Sequence, residues 1–335
     1  MKIQQAIDNK IKPRGALGLL EDLAYQICEV QDTLTPVLAD PTIVVFAADH
    51  GVAAEGVSAY PAAVTPAMVS ACLGSGAGIS VFCRQNGITL KVVDSGVAWP
   101  GAVPPGLISK SAGPGTANCF VSDAMSASQL DFCFDSGHEV VSEEVPQTCT
   151  VIGFGEVGIG NTSSAALLTS VLAEIPLEDC VGAGTGLNAE GIAHKAAVLT
   201  QARSRHSVVD DPRDALRYFG GFEIAQMAAA MLAAFDRNLL LLVDGYVATA
   251  AFLAAWRINP AIRRNAVFCH RSAERGHQRA LEILKARPIL DLGMRLGEGT
   301  GAAVAFPIVV SAVAFMNKMA SFDEAGVPTG APEAA

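Results

Sequence analysis

Short runs of β-branched and leucine residues alternate along the chain with longer helical patterns, and this alternation sets the expected fold. Residues 16–31 place Leu17, Leu20, Leu23, Ile27 and Val30 at helical spacing after a Lys-Pro-Arg-Gly entry, which predicts an amphipathic helix. TIVVFAADHG (42–51) is an apolar run ending in Asp49-His50-Gly51, the pattern of a buried parallel strand that opens into a loop. ITLKVVDSG (88–96), TVIGFGE (150–156) and LLLLVDG (239–245) repeat the pattern, ending in Asp94, Glu156 and Asp244. Helical patterns follow at 126–144, 161–173 and 246–257. Strands and helices in this order predict an α/β fold, a mostly parallel sheet with helices on both faces. Ligands of such sheets bind beyond the carboxyl ends of the strands. Acidic residues at four predicted strand ends are therefore the most informative feature. Each one either caps a helix and solvates a turn, or reaches into a site.

Composition sharpens this picture. The chain has 335 residues, 51% of them hydrophobic and 17% charged, with mean hydropathy +0.37, so many elements are buried on more than one side. A net charge of −10 repels nucleic acid and anionic membranes, so a phosphate-bearing ligand must be held by local geometry. Eight cysteines without a CxxC pair predict buried reduced thiols rather than a disulfide or zinc framework. Residues 299–316 carry no charge and reach the length of a membrane span, but they are rich in Gly and Ala, contain Pro307 and follow Glu298. They read as a buried helix. The polar start with no apolar core predicts no secretory signal, and a cytoplasmic enzyme is the expectation. Segments 98–118 and 204–212 read as loops, and the tail 326–335 as disordered. No boundary divides the chain into two sequential domains.

Several loops carry candidate chemistry. GFGEVG (153–158) matches the dinucleotide pattern G-x-G-x-x-G, yet Glu156 lies where a pyrophosphate would sit, and no second strand ending in an acid follows. VGAGTGLNAEGIAHK (181–195) suits phosphate better: a turn of small residues ahead of a helix, with Lys195 about two turns in. The alternative there is a plain turn and a surface lysine. His50 beside Asp49 could do acid–base work, but nothing near it has metal-ligand spacing. His270 and His277, seven apart on a helix-like stretch, read as solvent-exposed. No G-x-S-x-G elbow or Walker A lysine occurs, which disfavours hydrolase and NTPase chemistry. LDLGMRLGEGTG (290–301) sets Glu298 between two glycines, as either a base or a solvated turn residue.

Seven ordered segments together resemble one family. They are KPRGALGLLEDLA (12–24), AADHGVAAEGVSAYPAAVT (47–65), GFGEVGIGNTSSAA (153–166), GTGLNAEGIAHK (184–195), GGFEIAQMA (220–228), LVDGY (242–246) and MRLGEGTGAA (294–303). They are similar to the nicotinate-nucleotide:dimethylbenzimidazole phosphoribosyltransferases of cobalamin lower-ligand assembly. The resemblance implies transfer of phosphoribosyl from nicotinate mononucleotide to 5,6-dimethylbenzimidazole or a related base, giving nicotinate and α-ribazole 5′-phosphate. It implies no metal or redox cofactor. It also implies a homodimer with a shared active site, a large Rossmann-like domain over 35–300, and a small helical domain built from 1–34 and 301–335.

By the same resemblance Glu298 is the catalytic base, which takes the proton that the attacking azole must shed. Glu156 sits beside ribose and nicotinate, either stabilising positive charge or acting as a second base. Gly184, Thr185, Gly186 and Lys195 cradle the 5′-phosphate, and Gly158 and Asn161 contact nicotinate or ribose. Ser58, Tyr60, Met68 and Val157 wall in the base. The family's YPQEVT reads Tyr60-Pro61-Ala62-Ala63-Val64-Thr65 here, which leaves the accepted base open. Two other readings are an NAD-dependent oxidoreductase, carried only by GFGEVG, and a non-catalytic nucleotide- or base-binding homologue.

Overall fold

The computed structural model describes residues 2–206 and 208–328. The strands β1 (Thr42–Ala48), β2 (Thr89–Gly96), β3 (Ile108–Ser109), β4 (Val151–Val157), β5 (Leu240–Val243) and β6 (Ala266–Phe268) form one parallel sheet in the order β3-β2-β1-β4-β5-β6. The four strands expected from the sequence are its centre. The two edges, β3 and β6, have two and three residues, too few for a periodicity to show. Along β1, Ile43, Val45 and Ala47 belong to one hydrophobic core and Val44, Phe46 and Ala48 to the other. Burial on both faces is why this strand reads as a continuous apolar run.

Helices α1 (Lys2–Asp8), α2 (Leu19–Val30), α3 (Val64–Leu73), α4 (Gly78–Gln85) and α13 (Thr300–Lys318) cover one face, so the two chain ends meet there, α2 against α13. The other face carries α5 (Ala127–Glu139), α6 (Asn161–Leu172), α10 (Phe222–Asp236) and α11 (Tyr246–Ile258). Around these pack α7 (Leu177–Cys180), α8 (Ala189–Ser204), α9 (Pro212–Phe219) and α12 (Arg275–Ile283), and α14 (Phe322–Ala325) follows α13. The helix expected over 16–31 starts later, because Gly15 and Gly18 turn the chain at positive φ. The apolar stretch 299–316 becomes α13, with Ala302, Ala303, Ala305 and Val309 buried. Segment 98–118 lies over the end of β1, where Thr116 donates its amide to the Asp49 carbonyl (3.0 Å). All eight cysteines are free and buried. Of the tail 326–335, residues 329–335 lie outside the described residues.

The glycines of GFGEVG do not form a pyrophosphate turn. Gly153 and Gly155 lie inside β4, the fourth strand in the chain, whereas a dinucleotide fingerprint follows the first. They allow close approach instead. A Cβ at Gly153 would stand 2.7 Å from Ile43 Cγ1, and one at Gly155 only 2.4 Å from the carbonyl carbon of Glu298. Sheet order reverses between β1 and β4, and a crevice at that reversal is where ligands of open α/β sheets bind.

Candidate active site

Beyond the carboxyl ends of β4, β5 and β6 lies a cavity of about 480 Å³, a size suited to a nucleotide-scale ligand. Its floor holds two buried glutamates. Glu156, the second-last residue of β4, accepts a hydrogen bond from Asn161 Nδ2 at the start of α6. Glu298 comes from the loop before α13, and its Oε2 accepts from the amide of Ile79 in the first turn of α4 (3.3 Å). The two backbones also meet, the amide of Glu298 donating to the carbonyl of Glu156 (3.2 Å).

Local conformation explains the glycines around Glu298. Residues 297, 298 and 299 all have left-handed φ, at 87°, 62° and 84°. That is easy for the two glycines and strained for the glutamate between them. A Cβ on Gly297 would lie 2.4 Å from Glu156 Oε1. The loop is thus folded tightly onto β4, and Glu298 is a buried residue rather than a solvated turn residue, 4% exposed.

Electrostatics separates the two acids from ordinary carboxylates. Burial, followed by the charges of Asp244 and Glu223, pushes Glu156 well above the usual range, while Asn161 opposes the shift. Burial also raises Glu298, as does the charge of Asp244, against the lowering effect of the Ile79 and Gly78 amides. Each carboxyl is therefore a stronger base, when ionised, than one in water.

Of the residues singled out from the sequence, Glu298, Glu156, Val157, Gly158, Asn161, Gly184, Thr185, Tyr60 and Met68 line the cavity. Ser58, Gly186 and Lys195 do not. Ser58 Oγ lies at the rim, 3.1 Å from Thr185 Oγ1, and Gly186 is exposed one residue further along that turn. Lys195 is fully buried rather than a surface lysine, and its Nζ donates to Thr162 Oγ1 (2.8 Å). Burial lowers its pKa to about 8, and the charge of Glu274 works the other way. A Cβ on Gly184 would come within 3.3 Å of that Nζ, so the glycine turn rests on the lysine. The first turn of α8 does not line the cavity, and Asn188 caps it by accepting from the amide of Gly191 (2.9 Å). Cationic capacity here comes from Lys195 beneath the turn and Arg295 in the cavity wall, not from that helix end.

The histidines correct the sequence reading. His270 and His277 are buried, at 2% and 0% exposure, because β6 carries the first into the cavity wall and α12 packs the second beneath it. His277 Nδ1 accepts from the Ser272 amide (2.9 Å), so its proton is on Nε2, which faces Thr249 Oγ1 (2.9 Å). Burial lowers its pKa to about 3, with His270 and Arg271 adding to the shift. It therefore stays neutral and holds Ser272 at the cavity wall. His50 pairs with Glu223 (2.6 Å) rather than with its neighbour Asp49.

Sequence reasoning missed Thr162, Tyr246, Ser272, Glu274 and Arg295, all lining the cavity. Arg295 Nη1 donates to the Gly184 carbonyl (3.3 Å), which ties the loop carrying Glu298 to the glycine turn. Arg295 lies within MRLGEGTGAA, Thr162 within GFGEVGIGNTSSAA and Tyr246 within LVDGY, so those segments held a usable signal. Ser272 and Glu274 depend on β6, whose three residues gave none.

Comparison with known proteins agrees with this arrangement. Residues 1–327 match the profile of a family described as "Phosphoribosyltransferase". A nicotinate-nucleotide--dimethylbenzimidazole phosphoribosyltransferase of Cupriavidus taiwanensis is 51% identical over 330 residues, 98% of this chain and 95% of the relative. One from Dechloromonas aromatica is 52% identical over 328 residues, 97% and 94% of the two chains. The crystal structure of CobT from Thermus thermophilus superposes with a TM-score of 0.94 at 38% identity, over 98% of each chain.

Proposed function

The chain belongs to this phosphoribosyltransferase family, and on that premise we propose that it moves the phosphoribosyl group of nicotinate mononucleotide to 5,6-dimethylbenzimidazole or a related base. The products are nicotinate and α-ribazole 5′-phosphate, a precursor of the cobalamin nucleotide loop. One observation carries the reading: two buried glutamates with raised pKa share a cavity whose wall also holds a glycine turn seated on a buried lysine.

Each part has a chemical task. The lysine, with the turn 184–186, holds the 5′-phosphate, and the ammonium's charge is worth more in a buried place than in water. Asn161 and Gly158 then lie along ribose and nicotinate. The nicotinate ring nitrogen is cationic while bonded to C1′, and its charge favours the ionised form of Glu156, which burial alone disfavours. One azole nitrogen attacks C1′ as the bond to nicotinate breaks with its electron pair, and the other nitrogen gives its proton to Glu298. Ser58, Tyr60, Met68 and Val157 enclose the flat ring. Tyr60 is 55% exposed at the cavity mouth, where a second subunit would cover it.

A cytoplasmic homodimer with a shared site belongs to the same reading, as does the grouping of 1–34 with 301–335 as a small helical domain. Incubation with nicotinate mononucleotide and 5,6-dimethylbenzimidazole, followed by chromatography, tests it. Nicotinate and a ribosylated benzimidazole are expected in equal amounts. Ligand binding without either product points to a non-catalytic homologue, and hydride transfer with NAD would overturn the assignment.

A further inference from the structure

Of the four acids at strand ends, Glu156 has a proposed role at the reacting centre, and two others have local structural tasks. Asp94 accepts from the Val97 amide (2.8 Å) and Trp99 Nε1 (2.7 Å), and Asp49 accepts from the Ala98 amide (2.8 Å). Asp244 differs, because its partners lie in the segment directly after Glu298. Its Oδ2 accepts from the amide of Gly299 (3.2 Å) and its Oδ1 from the amide of Ala302 (3.1 Å). His270 Nε2 lies 3.7 Å from Oδ1.

Those amides open α13. The residue at its N-cap is Gly299, which has no side chain to cap the orphan donors of the first turn. Asp244, 2% exposed at the end of β5, supplies the missing acceptors from another element. Burial raises the pKa of Asp244, and the amides of the helix start, with their partial positive charge, oppose that shift and favour the carboxylate. The segment it grips follows Glu298 directly, and Glu298 sits in a backbone conformation that L-residues rarely hold unaided.

We infer that Asp244 is the positioning residue of the site: by capping α13 across the sheet it fixes the backbone of Glu298 and so the placing of the base against its azole. This deepens the phosphoribosyl-transfer reading and rests on it. Asp244 need not touch substrate. Its charge also raises the pKa of Glu298, so its loss has an electrostatic signature as well as a geometric one. The other titratable groups around this centre are Glu156 on β4, Cys72 on α3, Cys269 and His270 at the end of β6, and Arg295 in the loop itself. Burial holds Cys72 at about 12, and Glu298 and Glu156 add to that shift, so it stays neutral.

The test compares wild type with Asp244→Asn and Asp244→Glu. Three quantities are read: steady-state kinetics across pH, thermal melting, and amide hydrogen exchange over residues 297–302. Asp244→Asn is expected to stay folded, to lose about 10²-fold in kcat, as a displaced catalytic group does, and to leave KM for the nucleotide within about 3-fold. The ascending limb of its pH profile moves to lower pH, because a negative charge near Glu298 has gone. Asp244→Glu keeps the charge and therefore the limb, but its longer arm misplaces the cap and kcat stays low. In both variants the amides of Gly299 and Ala302 lose protection. Wild-type kcat with unchanged exchange in either variant overturns the inference. So does a fall in activity that only tracks the folded fraction, with the limb unmoved. If Asp244→Asn does not fold, Asp244→Glu decides by kcat and exchange. If the wild type itself releases no nicotinate, the reaction assignment fails, and exchange at residues 299 and 302 still decides whether Asp244 fixes the loop.

Discussion

The backbone amide of Glu298 donates to the carbonyl of Glu156, so a loop near residue 298 and a strand near residue 156 present their carboxyls from one shared anchor. Neither acid can move independently by much. Such pre-organisation suits a base that must meet one ring nitrogen while its partner faces the sugar. Glu298→Gln keeps the shape and removes the proton acceptor. It is expected to lower kcat by about 10²–10⁴-fold with little change in either KM. Steady-state assays with both substrates check this, and a variant retaining wild-type turnover with an intact melting transition would remove Glu298 from the mechanism.

Gly155 provides the room for that anchor. A methyl group there would meet the carbonyl carbon of Glu298 and the amide of Gly299, both at 2.4 Å, and backbone cannot rotate away as a side chain can. Gly155→Ala should cost about 1–3 kcal/mol of stability through overpacking, and displacement of the loop should cost on the order of 10²-fold in kcat. Gly153→Ala is the informative comparison. Its methyl meets chiefly the side chain of Ile43, so stability falls while the catalytic loss is much smaller. Equal kcat losses in the two variants would show that the contact with the Glu298 loop has no special role.

Glu156 places function against stability. Its pKa lies well above the ordinary 4.5 in the folded chain, so the folded state binds more protons than the unfolded one between those two values. Stability therefore falls as pH rises from about 4.5 through the folded pKa. Glu156→Gln abolishes that slope while its carbonyl oxygen still accepts from Asn161. The ligand-free variant should melt higher than wild type at pH 7–8, by about 2 °C, and be strongly impaired in turnover. Scanning calorimetry at pH 5 and pH 8 measures this, and the gap between the two proteins should widen with pH. A variant less stable than wild type at pH 8 would mean that the carboxylate is well satisfied where it stands.

The legible part of this protein was the part built from long, regular runs. β1, β4 and β5 announced themselves as apolar stretches because each is buried on two faces, as β2 is from Val92 onward, and of the acids at their ends Glu156 marked the cavity itself. Glu156 and Glu298 stood out for the same reason, as lone charges among glycines. What escaped notice depended on tertiary contact. His277 is neutral and holds Ser272 only because α12 packs under a three-residue edge strand, and spacing along the chain shows neither fact. The glycines of GFGEVG misled in the same way. A pattern that elsewhere makes room for a pyrophosphate here makes room for another segment of the same chain, and only the folded arrangement distinguishes the two.

Lys195 offers a pH test of the phosphate cradle. Burial lowers it from 10.5 to about 8, so the unfolded chain binds more protons between those values, and stability of the ligand-free protein should rise with pH from about 8 to 10.5. Nucleotide binding should run the opposite way, because the phosphate favours the ammonium and is itself a dianion throughout this range. KM for nicotinate mononucleotide is expected to be flat near pH 7 and to climb above pH 8, by up to about tenfold per unit. Lys195→Met removes the climb and raises KM at pH 7 by roughly 10–100-fold, as the loss of a charge-assisted hydrogen bond does. The same variant, freed of a buried cation, should melt higher than wild type at pH 7 when no ligand is present. A wild-type KM unchanged from pH 7 to 9 would place the phosphate elsewhere, with Arg295 the next group to test, since it too lines the cavity and touches the glycine turn.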